Sequence, residues 1–262
     1  MKKILTAFLS VVLWTGPAAP LQAETLLVAA ASNMRFAFDE LSDGFRQTHP
    51  DVQIKVSFGS SGTLYGQIVN GAPFDIFFSA NLLYPQKLEE AGRAGRGAKT
   101  ALYALGGLVL WTARGSGIDV RMEKMDALSN PKVKAIAIAN PRHAPYGKAA
   151  LEAMKHFGVY EAAKDRLAQG ENVSQAAQFV QAGAAQVGFI ARSLAATRQM
   201  RGSGTYWEIP ASSHGAIMQG FLLLRNGKNP RAAKALAQFI AGPQGQKILR
   251  RHGFRIPGNA LQ

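Results

Sequence analysis

The chain has 262 residues, no cysteine, and 30 Lys and Arg against 16 Asp and Glu, a formal charge of +14. The lack of cysteine excludes disulfides, thiolate metal sites and thiol nucleophiles. The basic excess invites a nucleic-acid reading, but the cations are scattered. Arg93, Arg96 and Lys99 form one loose cluster and Arg250, Arg251 and Arg255 another, and neither interleaves aromatics as a single-strand platform requires.

In chain order, Lys2 and Lys3 precede the apolar run Ile4–Trp14, and "PLQAE" places Ala23 at a cleavage position. That is the layout of a secretory signal over 1–23, and the run is too short to span a bilayer. Losing Lys2 and Lys3 with it lowers the charge from +14 to +12. The expectation is an exported chain with no lipid anchor at its mature N-terminus and little occasion to meet DNA.

Continuous apolar runs then alternate with helical patterns. "TLLVAAAS" (25–32) reads as a strand buried on both faces. Residues 33–48 read as a helix with Phe36, Leu41 and Phe45 inward, stopped at His49-Pro50. Strands at 52–58 and 74–80 alternate with helices at 63–70 and 84–91. Further strands are expected at 106–113, 134–140, 186–191 and 216–224. Further helices are expected at 147–157, 173–182, 230–241 and 243–252.

The β-α alternation predicts an α/β fold of two parallel, doubly wound lobes joined by a hinge, with a ligand cleft between them. The expected division is 24–105 for the first lobe, 106–215 for the second, and 216–262 for the return to the first.

In such sheets ligands sit beyond the carboxyl ends of the strands. The turns there read Ser32-Asn33, Ser60-Ser61-Gly62, Pro145-Tyr146 before a helix near Gly147, and Asn172 before 173–182. These helix starts carry small, hydroxyl or amide residues, with no lysine, arginine or carboxylate at the starts themselves. Four converging starts would sum to at most about +2, and neutral donors would then hold a fully ionised oxyanion. For any one turn alone, simple helix capping is the better account.

The strings "LLVAAASNM", "VSFGSSGTLYGQIVNGAPFDIFFSAN", "IANPRHAPYGKAA", "GENVSQAAQFV", "AQVGFIARS" and "GPQGQKILRRHGF" resemble, in this order, the molybdate-binding proteins of ABC transporters. These are type II periplasmic solute-binding proteins. The resemblance spans the mature chain. It implies a periplasmic monomer without cofactor or directly coordinated metal, which captures molybdate or tungstate as the oxyanion for an ABC permease of the inner membrane.

Carried over residue by residue, the resemblance implies hydroxyls at Ser32 and Ser61 and backbone N–H groups at Tyr146 and Val173 as ligand donors, with Asn33 assisting. Where many members have a tyrosine after the "VGFIA" strand this chain has Ala191, and the phenol of Tyr146 is the candidate replacement. Asp75 is expected to be structural, near the cleft floor. His143 is the histidine closest to the site, and no two histidines have metal-pair spacing.

The alternatives are another oxyanion such as sulfate or phosphate, a serine hydrolase, and a nucleic-acid binder. Gly59-Ser60-Ser61-Gly62 misses the G-x-S-x-G elbow by one position.

Overall fold

The apolar run after residue 24 becomes β1 (Glu24–Ala31), whose last four residues are buried. In the computed structural model, which describes residues 24–258, it is followed by α1 (Arg35–Arg46), β2 (Val52–Gly59), α2 (Ser61–Val69), β3 (Ile76–Ser79), α3 (Leu83–Glu90) and β4 (Ala101–Leu105). The expected leader, 1–23, lies outside the described residues. The chain continues through β5 (Leu108–Ala113), β6 (Ile136–Ala139), α4 (Pro145–His156), β7 (Leu167–Gly170), α5 (Val173–Gln181), β8 (Val187–Ala191) and β9 (Gly204–Glu208). It closes with β10 (Met218–Leu223), α6 (Pro230–Ala241) and α7 (Pro243–Arg251).

The strands form two five-stranded sheets, ordered β2-β1-β3-β10-β4 and β7-β6-β8-β5-β9. The fold is α/β, but the sheets are mixed where the alternation predicted parallel ones. β1 is parallel to β2 and β3, and β6 to β7 and β8. β10 is antiparallel to β3 and β4, and β5 to β8 and β9. The reason lies in the crossings. Only Gly106 and Gly107 separate β4 from β5, so the chain passes from one sheet to the other with no helix to restore the parallel sense. β10 likewise arrives from the second sheet and runs against β3.

Three strands unforeseen in the sequence, β4, β7 and β9, are all sheet edges of four or five residues. β7 and β9 are short and carry polar residues, while β4 is apolar but lies only two residues before the longer run of β5.

Each sheet has its own core. In α1 the buried face is Phe38, Leu41 and Phe45, each at most 1 % exposed, while Phe36 is 38 % exposed. The expected inward Phe36 is therefore corrected to Phe38, which lies three residues before Leu41 and so shares its face. Phe38 meets Phe58 and Phe78 edge-on, at centroid distances of 6.1 and 5.7 Å. Phe77, Phe78 and Trp111 are core, whereas Trp207 is only partly buried.

Asp75 is structural, but it sits at the opposite end of β3 from the strand's carboxyl end, not near the cleft floor. Its carboxylate accepts the Leu27 N–H at 2.7 Å and the Asn229 N–H at 2.7 Å, tying β1 to the approach to α6. Among the described residues no helix is long and apolar enough to cross a membrane, and no three His, Asp or Glu are grouped to hold a metal.

Asp75→Asn exchanges one of these acceptor oxygens for a donor facing an N–H. It should lower the unfolding free energy by about 2 kcal/mol, measured by urea denaturation, and leave ligand affinity unchanged.

Candidate functional site

The carboxyl ends of β1, β2 and β3 face the starts of α4 and α5, and the residues there enclose one small cavity. Its walls are Ala31, Ser32, Asn33, Gly59, Ser60, Ser61 and Ala80 from the first sheet's side, and Ala144, Pro145, Tyr146 and Val173 from the second. All five residues singled out in the sequence, Ser32, Asn33, Ser61, Tyr146 and Val173, are brought together here, and each is at most 4 % exposed. Ala191 is buried and is not among the walls. The cavity measures about 10 Å³, room for about one water-sized sphere. A tetrahedral oxyanion is larger than that and enters only as the walls part. A groove of about 330 Å³ shares Ala80 and Pro145 with it and opens outward.

Helix capping decides which donors are left over. The first N–H groups of an α-helix have no acceptor within the helix. At α2 the cap is Ser60, whose Oγ accepts the Thr63 N–H at 3.2 Å, while the Gly62 N–H goes to the His143 carbonyl at 2.8 Å. Ser61, the first helical residue, keeps its N–H for the cavity. At α5 the cap is Asn172, whose Oδ1 accepts from Ser174 and Gln175, so Val173 is the residue left. At α4 there is no side-chain cap and Pro145 has no N–H, which makes Tyr146 the first donor.

Gly147 lets this helix start press against the strand end, because a Cβ there would collide with the Ala139 carbonyl. The fourth expected start differs. Ser32–Met34 is a 3-10 turn, and neither Ser32 nor Asn33 caps α1. Three α-helix starts thus face the cavity, worth at most about +1.5 in dipole charge, and no wall residue is ionisable at neutral pH.

The hydroxyls are poised as donors. Ser61 Oγ accepts the Ala80 N–H at 2.9 Å, and Ser32 Oγ accepts the Ser174 N–H at 3.4 Å. With a lone pair so engaged, each hydroxyl proton is free to point elsewhere.

Tyr146 differs from expectation. Its phenol oxygen accepts from Asn33 Nδ2 at 3.4 Å and lies, with the Gln219 amide beside it, against Gly106 at the crossing between the sheets. It is tied into a protein network and is not a free replacement for the phenol missing at Ala191. Burial pushes this phenol well above its ordinary range, and the Asn33 and Gln219 amides only partly oppose that. Asn33 Nδ2 also donates to Gln219 Oε1 at 3.0 Å, while Asn33 Oδ1 is buried without a partner.

Several contacts across the cleft were invisible in the sequence because their partners lie 83 to 160 residues apart. Ser174 Oγ donates to the Ser32 carbonyl at 2.9 Å and Ser193 Oγ to the Asn33 carbonyl at 2.8 Å. His143 Nδ1 lies 2.7 Å from Ser60 Oγ, and its Nε2 lies 3.7 Å from Glu171 Oε2. Ser60, His143 and Glu171 thus follow one another in the order of a hydrolase relay. Ser60 nevertheless serves as the cap of α2, accepting the Thr63 N–H, and its turn lacks the G-x-S-x-G elbow. A fluorophosphonate should leave Ser60 unlabelled, as read by intact mass.

Gly62 lies where the two sides come close. A Cβ there would lie 2.6 Å from Tyr84 Oη, 2.7 Å from His143 Cβ and 2.8 Å from the His143 carbonyl. Gly62→Ala should hold the two sides apart, giving a larger radius of gyration by small-angle X-ray scattering. Its melting temperature should not fall, because alanine is favoured over glycine within a helix by about 1 kcal/mol.

Comparison with known proteins gives the family. Residues 26–255 match the family model described as bacterial extracellular solute-binding protein. The molybdate-binding protein ModA of Azotobacter vinelandii is 35 % identical over 237 residues, 90 % of this chain and 91 % of that one. ModA of Rhodobacter capsulatus is 36 % identical over 239 residues, 91 % of each chain. The solved structure of the A. vinelandii periplasmic molybdate-binding protein superposes with a TM-score of 0.82 at 32 % identity, covering 88 % of this chain and 99 % of that one. With two sheets around a cavity of neutral donors and a family match along nearly all of the described residues, the chain belongs to the bacterial extracellular solute-binding proteins.

Proposed function

We propose that this protein is a periplasmic carrier that captures molybdate, and tungstate with it, and delivers it to an ABC permease of the inner membrane. The observation that carries the reading is the convergence of three helix starts and two hydroxyls on a cavity walled by neutral residues. A dianion placed there gains donors on several sides and meets no carboxylate. A protonated oxyanion would present an O–H to a site nearly without acceptors, so full ionisation is selected for. The relatives named for molybdate supply the cargo's identity.

In this reading Ser32 and Ser61 donate through Oγ, and Tyr146 and Val173 through backbone N–H. Asn33 turns its amide to help. The ion is cargo, no cofactor is needed, and no bond is made or broken. The lobes are 24–105 with 216–262, and 106–215, hinged where β4 meets β5 and where the chain returns to β10. A monomer suffices, since every donor comes from one chain. The ligand bridges both lobes, and it favours closure by its differential affinity for the closed form.

Thermal unfolding with molybdate, tungstate, sulfate or phosphate tests the cargo. At a hundred times its dissociation constant a ligand adds about 2.7 kcal/mol, which at this size raises the melting temperature by roughly 5–10 °C. Molybdate and tungstate should give that shift. A shift with sulfate or phosphate alone would change the cargo.

Ser32→Ala with Ser61→Ala removes two hydrogen bonds to a charged group, about 3–6 kcal/mol. Molybdate affinity should fall by about 10²- to 10⁴-fold by calorimetry. Ser61→Ala also strips the Ala80 N–H of its acceptor, so ligand-free stability should drop by about 1 kcal/mol. Ser32→Ala alone is the cleaner variant.

A further inference from the structure

We propose that His143 is a proton-linked clasp of the cleft, holding the two sides together through Ser60 and taking up a proton when a dianion fills the cavity. The inference rests on the oxyanion reading above and extends it to a residue outside the cavity walls.

His143 belongs to the loop before α4, on the second sheet's side, while Ser60 and Gly62 open α2 on the first. The histidine grips α2 at two points. Its ring Nδ1 lies 2.7 Å from Ser60 Oγ, and its carbonyl accepts the Gly62 N–H at 2.8 Å. Ser60 is itself a cavity wall, so one hydroxyl separates the imidazole from the ligand space. The ring's other nitrogen faces outward to Glu171 Oε2 at 3.7 Å, and the side chain is 25 % exposed, which keeps a proton path to solvent.

The charged and titratable groups around the ring are few. From α2 come Ser60 and Thr63, neither of which titrates. From α3 comes Tyr84, whose phenol is pushed up by burial and, secondarily, by Tyr65, so it is neutral. The loop before α5 supplies Glu171, and the loop of His143 itself supplies Arg142, which is exposed.

A dianion in the cavity lies one hydroxyl away from the ring and favours the imidazolium, and Glu171, 74 % exposed, adds little to this. Binding therefore raises the affinity of His143 for a proton. By linkage, anion affinity falls as pH rises, with at most a tenfold change per pH unit for one proton.

Calorimetric titration with molybdate at pH 6, 7 and 8, in buffers of different ionisation enthalpy, tests this directly. The clasp predicts uptake of a fraction of a proton near pH 7 and affinity falling about three- to tenfold from pH 6 to pH 8. In His143→Gln the pH slope and the buffer dependence should both vanish, affinity at pH 6 should be several-fold weaker, and the ligand-free melting temperature should be nearly unchanged. Arg142→Gln should keep the slope. Tight binding that is flat with pH, or a slope that persists in His143→Gln, would overturn the clasp and leave the oxyanion reading standing. No molybdate binding at any pH would overturn both.

Discussion

Everything in this site follows from one constraint: an anion stripped of water must be met by donors, and no opposing cation stands among the cavity walls. Peptide N–H groups at helix starts are the cheapest source, because the helix leaves them without acceptors in any case. What is specific here is how the caps divide them. Ser60 and Asn172 satisfy later N–H groups of α2 and α5 and leave the first ones, at Ser61 and Val173, without a cap. Pro145 removes one donor from α4 and makes Tyr146 the first. In the proposed reading capping and binding are therefore not rival roles for these turns, since the cap residue and the proposed donor stand side by side.

The same economy shapes the closing contacts. Across the cleft the chain uses short polar bridges, Ser174 to Ser32, Ser193 to Asn33 and His143 to Ser60, beside the apolar contact of Ala31 and Ala80 with the second sheet's core. Hydrogen bonds of this kind contribute about 1 kcal/mol each against water, so few of them hold the sides together and opening stays accessible. Gly62 lies where the sides come close, and the Asn33–Tyr146–Gln219 network links the first turn to the strand by which the chain returns.

Much of this was legible in the sequence, and the rest was hidden for identifiable reasons. The β-α alternation gives two sheets because buried strands must be apolar throughout, as in "TLLVAAA". The mixed strand sense was not legible, because it depends on where β5 and β10 cross rather than on composition. Edge strands β7 and β9 carry too little apolar pattern to read, and β4, though apolar, lies two residues before the longer run of β5. Ser32, Asn33, Ser61, Tyr146 and Val173 could be singled out because cap chemistry and the family resemblance mark their turns. Gln219, Ser193 and the His143–Glu171 pair could not, since their partners are distant in the chain and nothing local announces them. Asp75 was assigned the right role at the wrong end of its strand, because a carboxylate before a strand does not say which partners come round to meet it.

The central claim is that a molybdate ion sits among the starts of α2, α4 and α5. Its most direct test is a crystal grown with molybdate and measured at the molybdenum absorption edge. The account predicts one dominant anomalous peak within hydrogen-bonding range, through the ion's oxygens, of Ser32 Oγ, Ser61 Oγ and the Tyr146 and Val173 N–H groups. A peak elsewhere, or an ordered structure with this cavity filled only by water, would contradict it.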